Sequence, residues 1–504
     1  MKKKVLALLA LVSLIMLVAP LVNFSSGKSK HWSDWQESEL YNLDFVLPVL
    51  GGFYYLLGIS IAPEQVVIGK EGWLYLGDVY GGSITNKRIG VTPQDEVVAA
   101  KVMGAAAVWD KWFKHHGVKE YRIIIGPDKD TVYPEFLPDW AKPSSNPTFD
   151  ALVNKADSKL FVNGLGALRE AKQKYDVPLY FKTDHHWNGL GGWLAFNELA
   201  ESLSRARPDL IFPSVEVSDH PKVVPWAGGD LAKFQRVRSL LKDQYVEMDM
   251  FASLPIEQYD FNSGRLISVG SNLELGAPDK PLMVKSVKAL NNKKVLWLRD
   301  SFGSVMSPYM MATFSDVLQM HYGVANSEFY SHIFEKFNPD YVIVTVAERN
   351  SRIDYFQAFP PLSLSRPKET FVSHTRGEVV AKKDITVMEG DGAYRTAGEN
   401  PYLVFKLQKP IKAKLSEQLV VDLKCDNGTD QVPVQMFWRT NNSDFSEDRR
   451  FRFIAYQGLT SVNLSSAASW VESEDVTAVR IDFESPGGCS KLTVGPLKLG
   501  INKL

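Results

Sequence analysis

Apolar and polar positions divide the chain into three regimes. Behind Met1-Lys2-Lys3-Lys4, residues 5–22 are an apolar run interrupted only by Ser13 and Pro20. A run of that length fits either a long signal-peptide core or a short spanning helix. No Ala-x-Ala cleavage site follows, and Ser25-Ser26-Gly27 is a poor substitute. The pattern therefore favours an uncleaved anchor over residues 1–27, with the lysines cytoplasmic and the rest of the chain outside. Residues 28–65 read as a juxtamembrane segment. Its apolar run Phe45 to Ile61 is broken by Pro48, Gly51-Gly52 and Gly58, too often for a second span.

From Val66 the pattern alternates between short apolar runs and helical spacing. Val66 to Leu76 reads as two strands around a tight turn at Lys70-Glu71-Gly72. Glu96 to Trp112 has helical spacing, Tyr121 to Ile125 is a strand, and Leu160 to Lys174 a helix. Leu179-Tyr180-Phe181 reads as a short strand and Trp193 to Arg205 as a helix. Val295 to Leu298 and Tyr341 to Val346 add two buried strands, and Phe302 to Phe314 a helix near Pro308. Strands alternating with helices predict an α/β domain over residues 66–361 with a mostly parallel sheet.

Residues 362–376, rich in Ser, Pro and charge, read as a linker. Residues 377–504 lose the helical period. Leu403 to Phe405, Leu419 to Leu423, Val434 to Trp438, Phe451 to Ala455 and Val479 to Phe483 are short apolar runs separated by turn residues. That spacing predicts an all-β sandwich.

The 504 residues are enough for two or three domains, and a net charge of −1 gives no basic surface for nucleic acid. The only cysteines, Cys425 and Cys489, form no Cys-x-x-Cys pair. In an exported chain they are expected to form a disulfide closing a loop of about 64 residues.

Two stretches carry candidate chemistry. Val295 to Leu298 ends in Arg299-Asp300-Ser301-Phe302, which places a serine at a strand-to-helix turn. The competing reading is that Asp300-Ser301 only caps a helix. In Thr183-Asp184-His185-His186-Trp187-Asn188, an extended backbone puts Asp184 and His186 on one face. The carboxylate then fixes the imidazole tautomer and leaves the other nitrogen to take a proton from a hydroxyl. Polar capping of the next helix competes with this reading. So does a metal site from Asp184, His185 and His186, which is disfavoured because neighbouring side chains on a strand diverge. No metal and no cofactor is expected.

Together with Gly69-Lys70-Glu71-Gly72-Trp73-Leu74-Tyr75, Gly126-Pro127-Asp128-Lys129, Tyr133-Pro134 and Glu348-Arg349, these stretches resemble the SGNH-hydrolase-like domain of the AlgJ/AlgX-type alginate O-acetyltransferases, over roughly residues 66–350. The resemblance implies an SGNH fold with Ser301 as nucleophile, His186 as base and Asp184 as its orienter. Arg299 stands where ordinary SGNH enzymes have Gly, and the separate Gly and Asn of their oxyanion hole have no counterpart here. The Ser301 N–H is one oxyanion donor; Tyr322 and Arg349 are candidates for the second. The resemblance also implies a periplasmic setting, a multispanning acyltransferase as acetyl-donor partner, a polysaccharide acceptor and a C-terminal carbohydrate-binding sandwich. Trp438, Phe445 and Trp470 are weighed there as sugar contacts, but each residue type is more often core, and none is assigned.

The expected activity is acetyl transfer through a serine acyl-enzyme onto an exported polysaccharide. The alternatives are a polysaccharide acetylesterase, using the same residues with water as acceptor, and a non-catalytic, membrane-tethered glycan-binding subunit.

Overall fold

The structure is a computed structural model and describes residues 17–23, 25, 41, 46–153, 155–248, 254–271, 276–325, 327–358, 360, 364–365, 367, 369–388, 393–398, 400–426, 431–464, 467–483 and 491–502. Among them no helix is long and apolar enough to cross a membrane. Most of the expected anchor, residues 5–16, lies outside the described residues, as does Cys489.

Residues 17–23 are helical. Helix α1 (Leu47–Leu56) and the hairpin β1 (Val66–Ile68) and β2 (Leu74–Leu76) follow. Val66 pairs with Leu76 and Ile68 with Leu74. Glu71 and Gly72 take positive φ, 53° and 82°, which closes the turn expected there. Helices α2 (Ser83–Ile89) and α3 (Pro93–His115) follow, then β3 (Glu120–Gly126) and β4 (Phe161–Asn163). Helices α4 (Leu165–Lys174) and α5 (Gly189–Ala206) come next. The expected helix from Leu160 thus begins as a strand. The expected strand Leu179 to Phe181 is reduced to one bridge between Tyr180 and Trp187.

Beyond α5, β5 (Val223–Ala227) and β6 (Lys242–Val246) form a two-stranded antiparallel sheet around α6 (Asp230–Phe234). The strands β7 (Pro255–Asp260), β8 (Leu266–Ser271), β9 (Leu282–Ser286), β10 (Asn291–Arg299), β11 (Phe314–Met320) and β12 (Tyr341–Ala347) complete the main sheet. Its order is β4-β3-β12-β10-β11-β9-β7-β8. The pairs β3/β4 and β10/β11 are parallel, whereas β11/β9, β9/β7 and β7/β8 are antiparallel. The sheet is therefore mixed: β11, β9, β7 and β8 pair antiparallel, and β7 and β8, consecutive in the chain, form a hairpin. The helix expected over Phe302 to Phe314 is a single 3-10 turn, Ser301–Gly303, followed by α7 (Ser307–Thr313) with Pro308 in its first turn. Phe314 already opens β11.

All five short runs expected in the C-terminal region lie in strands: Tyr402–Lys412, Gln418–Cys425, Gln431–Thr440, Arg450–Tyr456 and Asp475–Phe483. They belong to a large all-β assembly whose recorded pairings are antiparallel. Trp438 and Trp470 are fully buried in its core, with ring centroids 5.3 Å apart. They are core residues and not sugar contacts; Phe445 is half-buried. Cys425 is buried at the end of its strand, opposite Leu492. The expected linker holds strand residues, Leu364–Ser365 and the start of Phe371–Lys383.

Compactness divides the chain into one unit of Met1–Glu96, Arg122–Tyr322 and Ile343–Ser351, and another of Val97–Tyr121, Gly323–Val342 and Arg352–Leu504. The division is not linear, because most of α3 clusters with the C-terminal unit. Within that unit Trp109 Nε1 donates to Ala358 O at 2.9 Å and its ring lies 4.7 Å from Tyr330.

Candidate active site

The candidate residues meet in the first unit, where the carboxyl ends of three strands come together. After β10, Asp300 bonds across to β12. Its Oδ2 accepts the Ala347 N–H at 2.8 Å, and its own N–H donates to Thr345 O at 3.2 Å. After β3, the Asp128 N–H donates to Glu348 Oε2 at 2.8 Å. Asp300 also caps the 3-10 turn, Oδ1 accepting from Phe302 N at 3.0 Å. The capping reading is therefore correct for Asp300, and it leaves Ser301 free for another role.

Ser301 Oγ lies 2.7 Å from His186 Nε2, and His186 Nδ1 lies 2.7 Å from Asp184 Oδ1. Three residues named from the sequence are thus joined in one hydrogen-bonded relay. The local backbone is a turn, where an extended segment was expected. Asp184 Oδ1 also accepts the His186 N–H at 3.0 Å, closing a short loop that fixes carboxylate and ring together. Burial opposes ionisation of Asp184, but bonds and charge from His186, then His185, outweigh it. They hold the carboxyl well below the usual carboxylate range. An ionised Asp184 can only accept, so His186 Nδ1 carries the proton and Nε2 is free to accept from Ser301.

Residues distant in sequence hold this loop. Thr183 N and Oγ1 both bond Asp243 Oδ2 on β6 at 2.6 Å. Asp230 N, at the start of α6, donates to Asp184 Oδ2 at 3.1 Å. Gly229 sits so close that an added Cβ would lie 2.4 Å from Asp184 Cβ. Trp187 Nε1 donates to Phe302 O at 2.9 Å, which ties the histidine loop to the serine turn. Asn188 caps α5 through Leu190 and Gly191.

Lys129, buried, donates to the carbonyls of Phe181, Lys182 and Asp184 at 3.0, 3.0 and 2.7 Å. Its ammonium also lies over Trp73 and Tyr75, 5.6 and 5.2 Å from the ring centroids. Burial lowers its pKa to about 8, only partly offset by Asp184, Asp243, Asp230 and Asp130. The sequence marked the Gly126-Pro127-Asp128-Lys129 stretch without showing what it holds. No local signal pointed to Asp230 or Asp243.

Arg299, fully buried, braces the serine turn. Its guanidinium donates to Gln319 Oε1 at 2.8 Å, Asp300 O at 3.2 Å and Gly276 O at 2.8 Å, and stacks 4.7 Å from the Trp297 ring centroid. Burial brings its pKa down to about 9. This is the physical content of an arginine at the position before Asp300.

The Ser301 N–H donates to no described residue. The two candidates for a second oxyanion donor are committed elsewhere. Tyr322 is buried with its hydroxyl on Asp300 Oδ2 at 3.3 Å. Arg349 donates to Asp128 Oδ1 at 2.5 Å and lies 5.4 Å from the Phe302 ring centroid. Neither bonds Ser301.

His185 was expected to diverge from His186, but their ring centroids are 3.7 Å apart. A turn replaces the strand, and His185 Nδ1 bonds Asp230 Oδ2. Burial, then the neighbouring His186, holds the His185 pKa below its ordinary value. Asp184, His185, His186 and Asp230 offer ligand atoms within 4.8 Å of one another, a nitrogen and oxygen set suited to zinc. An ion bound there would draw on Asp184 and His186, the two residues that support Ser301.

Residues 66–260 match the family model of the SGNH hydrolase-like domain, acetyltransferase AlgX. That span contains Asp184 and His186 and ends before Ser301. Bacillus cereus PatB1 with a sulfonyl adduct is similar at 16% identity and a TM-score of 0.42, over 59% of this chain and 100% of that one. The O-acetyltransferase domain of Pseudomonas putida AlgJ is similar at 18% identity and a TM-score of 0.35, over 57% and 92%. Pseudomonas aeruginosa AlgX is similar at 13% identity and a TM-score of 0.35, over 86% and 93%. At these scores the structural likenesses assign no activity. No curated protein matches the chain. By that match, residues 66–260 are similar to the SGNH hydrolase-like domain of the AlgX acetyltransferase type, over less than half of the chain.

Proposed function

We propose that the chain is an O-acetyltransferase that carries an acetyl group on Ser301 and delivers it to hydroxyls of an exported polysaccharide. The observation that supports this is the continuous Asp184–His186–Ser301 relay beside an uncommitted Ser301 N–H. Ser301 Oγ attacks the donor carbonyl carbon while its proton passes to His186 Nε2. The bond to the donor's alkoxy oxygen breaks, and that oxygen leaves with the proton from His186. The acceptor hydroxyl then attacks the acyl-serine, its proton passing through His186 back to Ser301 Oγ. Asp184 stabilises the imidazolium in both halves, and the Ser301 N–H serves as an oxyanion donor.

In this reading the chain is held outside the inner membrane by its N-terminal run and receives acetyl from a multispanning acyltransferase. A polysaccharide acetylesterase is the second reading, favoured by the partial exposure of Ser301 and His186, which admits water. Incubation with a chromogenic acetyl ester, with and without oligosaccharide, separates them. Acceptor-dependent formation of acetylated sugar supports transfer. Acetate release unaffected by acceptor supports hydrolysis.

A further inference from the structure

Helix α1 has no role in the site, yet its surface is unusual. From Phe45 to Pro63 the sequence has no charged residue. Within α1 only Gly51 is buried. Val49, Phe53 and Leu56 are 68%, 60% and 83% exposed, and Leu50 and Leu57 are exposed beside them. A helix apolar on every side belongs in a core or in lipid.

The helix is nevertheless held in place. A Cβ on Gly51 would lie 2.5 Å from Gln235 O, and one on Gly52 2.8 Å from Leu240 Cδ1. Gln235 Oε1 accepts the Ile61 N–H and the Ser60 hydroxyl, each at 3.1 Å, and its Nε2 donates to Ile59 O at 3.2 Å. The glycine face is thus clamped to the protein and Tyr55 packs against the core beside β1 and β2, while Val49, Leu50, Phe53, Leu56 and Leu57 stay exposed.

Leu47 and Pro48 share a groove with Lys233, Arg236 and Arg238. Lys233 and Arg236 make no ion pair among the described residues. An apolar helix rimmed by unpaired cations complements an anionic lipid surface. Ten residues reach only about 15 Å, half the hydrocarbon thickness, so the helix can lie on a bilayer and not cross it. The apolar run expected to enter a membrane ends at Val22, 25 positions before Leu47.

We infer that α1 is a membrane-contact element. Its outward face enters the headgroup–acyl boundary, and Lys233, Arg236 and Arg238 meet anionic headgroups. This stands apart from the acyl-transfer reading, since its test reads no activity.

The test uses the full chain reconstituted in vesicles of phosphatidylcholine with phosphatidylglycerol. An environment-sensitive fluorophore is attached at Phe53→Cys, at Leu56→Cys as a second position, and at Val380→Cys on an exposed strand of the C-terminal unit. Unsubstituted protein serves as the labelling blank. The expected result is blue-shifted emission at 53 and 56, quenched severalfold more by spin-labelled acyl chains than at 380 and protected from iodide. Iodide quenching at 53 and 56 equal to that at 380 overturns the inference. Protection from both quenchers also overturns it, because a protein surface then covers the helix. Lys233→Glu with Arg236→Glu should abolish the dependence of the shift on phosphatidylglycerol. An unchanged dependence contradicts the headgroup assignment.

Discussion

The Asp184 relay and the Lys87 cluster lie at the ends of neighbouring strands of one sheet and use the same kinds of side chain, but their atoms are disposed of differently. Lys87 on α2 reaches Asp128 at 3.3 Å, Asp130 at 2.8 Å and Glu348 at 3.1 Å. Arg349 takes the other Asp128 oxygen, and Glu348 Oε2 accepts from Thr131 Oγ1 at 2.6 Å. All of these side chains are under a tenth exposed or nearly so. Burial works against the Lys87 charge, but Asp130, Glu348 and Asp128 outweigh it and hold the proton tightly. Burial likewise brings the Glu348 carboxyl up to about 7. Two cations face three carboxylates with no open edge. In the relay, by contrast, a half-exposed Ser301 keeps its N–H uncommitted. Charge density alone does not mark a reaction site; an uncommitted atom at an open edge does.

Substitutions can break this contrast, from the largest expected effect to the smallest. Ser301→Ala should lower ester turnover by roughly four to six orders of magnitude, with the melting temperature almost unchanged. Asp184→Asn should cost about 10⁴-fold in kcat, because the amide can hold the wrong tautomer of His186. Lys87→Met should do the opposite: it strands buried carboxylates and should cost ~3–5 kcal/mol of stability. Turnover by the protein that stays folded should persist. Turnover lost at an unchanged melting temperature would erase the distinction between the two clusters.

Lys129→Met should lower kcat by roughly tenfold to a hundredfold, since a small misplacement of the reacting groups is enough. The pH profile sharpens this. Above about 8 the amine loses its proton and has two N–H groups for three carbonyls, so turnover should fall. Between there and the ordinary value of 10.5 an unfolded chain holds a proton that the folded chain lacks. This group's contribution to stability therefore rises with pH across that window, and the lost turnover is not unfolding. Lys129 also faces Asp184, Asp243, Asp230 and Asp130, and Lys182 lies over the same Trp73 ring at 5.8 Å. Lys129→Arg, charged throughout, should move the alkaline limb upward. Added zinc should inhibit partially and reversibly through Asp184, His185, His186 and Asp230, and Asp230→Asn should blunt it. Zinc-insensitive turnover would show that the ligand set does not assemble around an ion.

The three relay residues were legible because an Asp-x-His before a helix and an Asp-Ser after four buried residues are locally specific. The sandwich strands were legible from their short apolar runs. What escaped depends on long-range contacts. Asp230 and Asp243 lie 45 and 60 positions from the residues they support, with no periodicity linking them. The turn at Asp184 overrode the strand alternation that was to separate His185 from His186. Phe314, taken for the end of a helix, opens β11 because α7 stops after seven residues. Trp438 and Trp470 offered no signal to distinguish core from surface until the strands around them closed.

The most direct test is covalent. Wild-type protein and its Ser301→Ala and His186→Ala forms are quenched during turnover of an acetyl ester, and their masses are read intact and by peptide. The account predicts a gain of one acetyl group, mapped to Ser301, in the wild type alone. Turnover with no adduct, or with the acetyl on another residue, would contradict it.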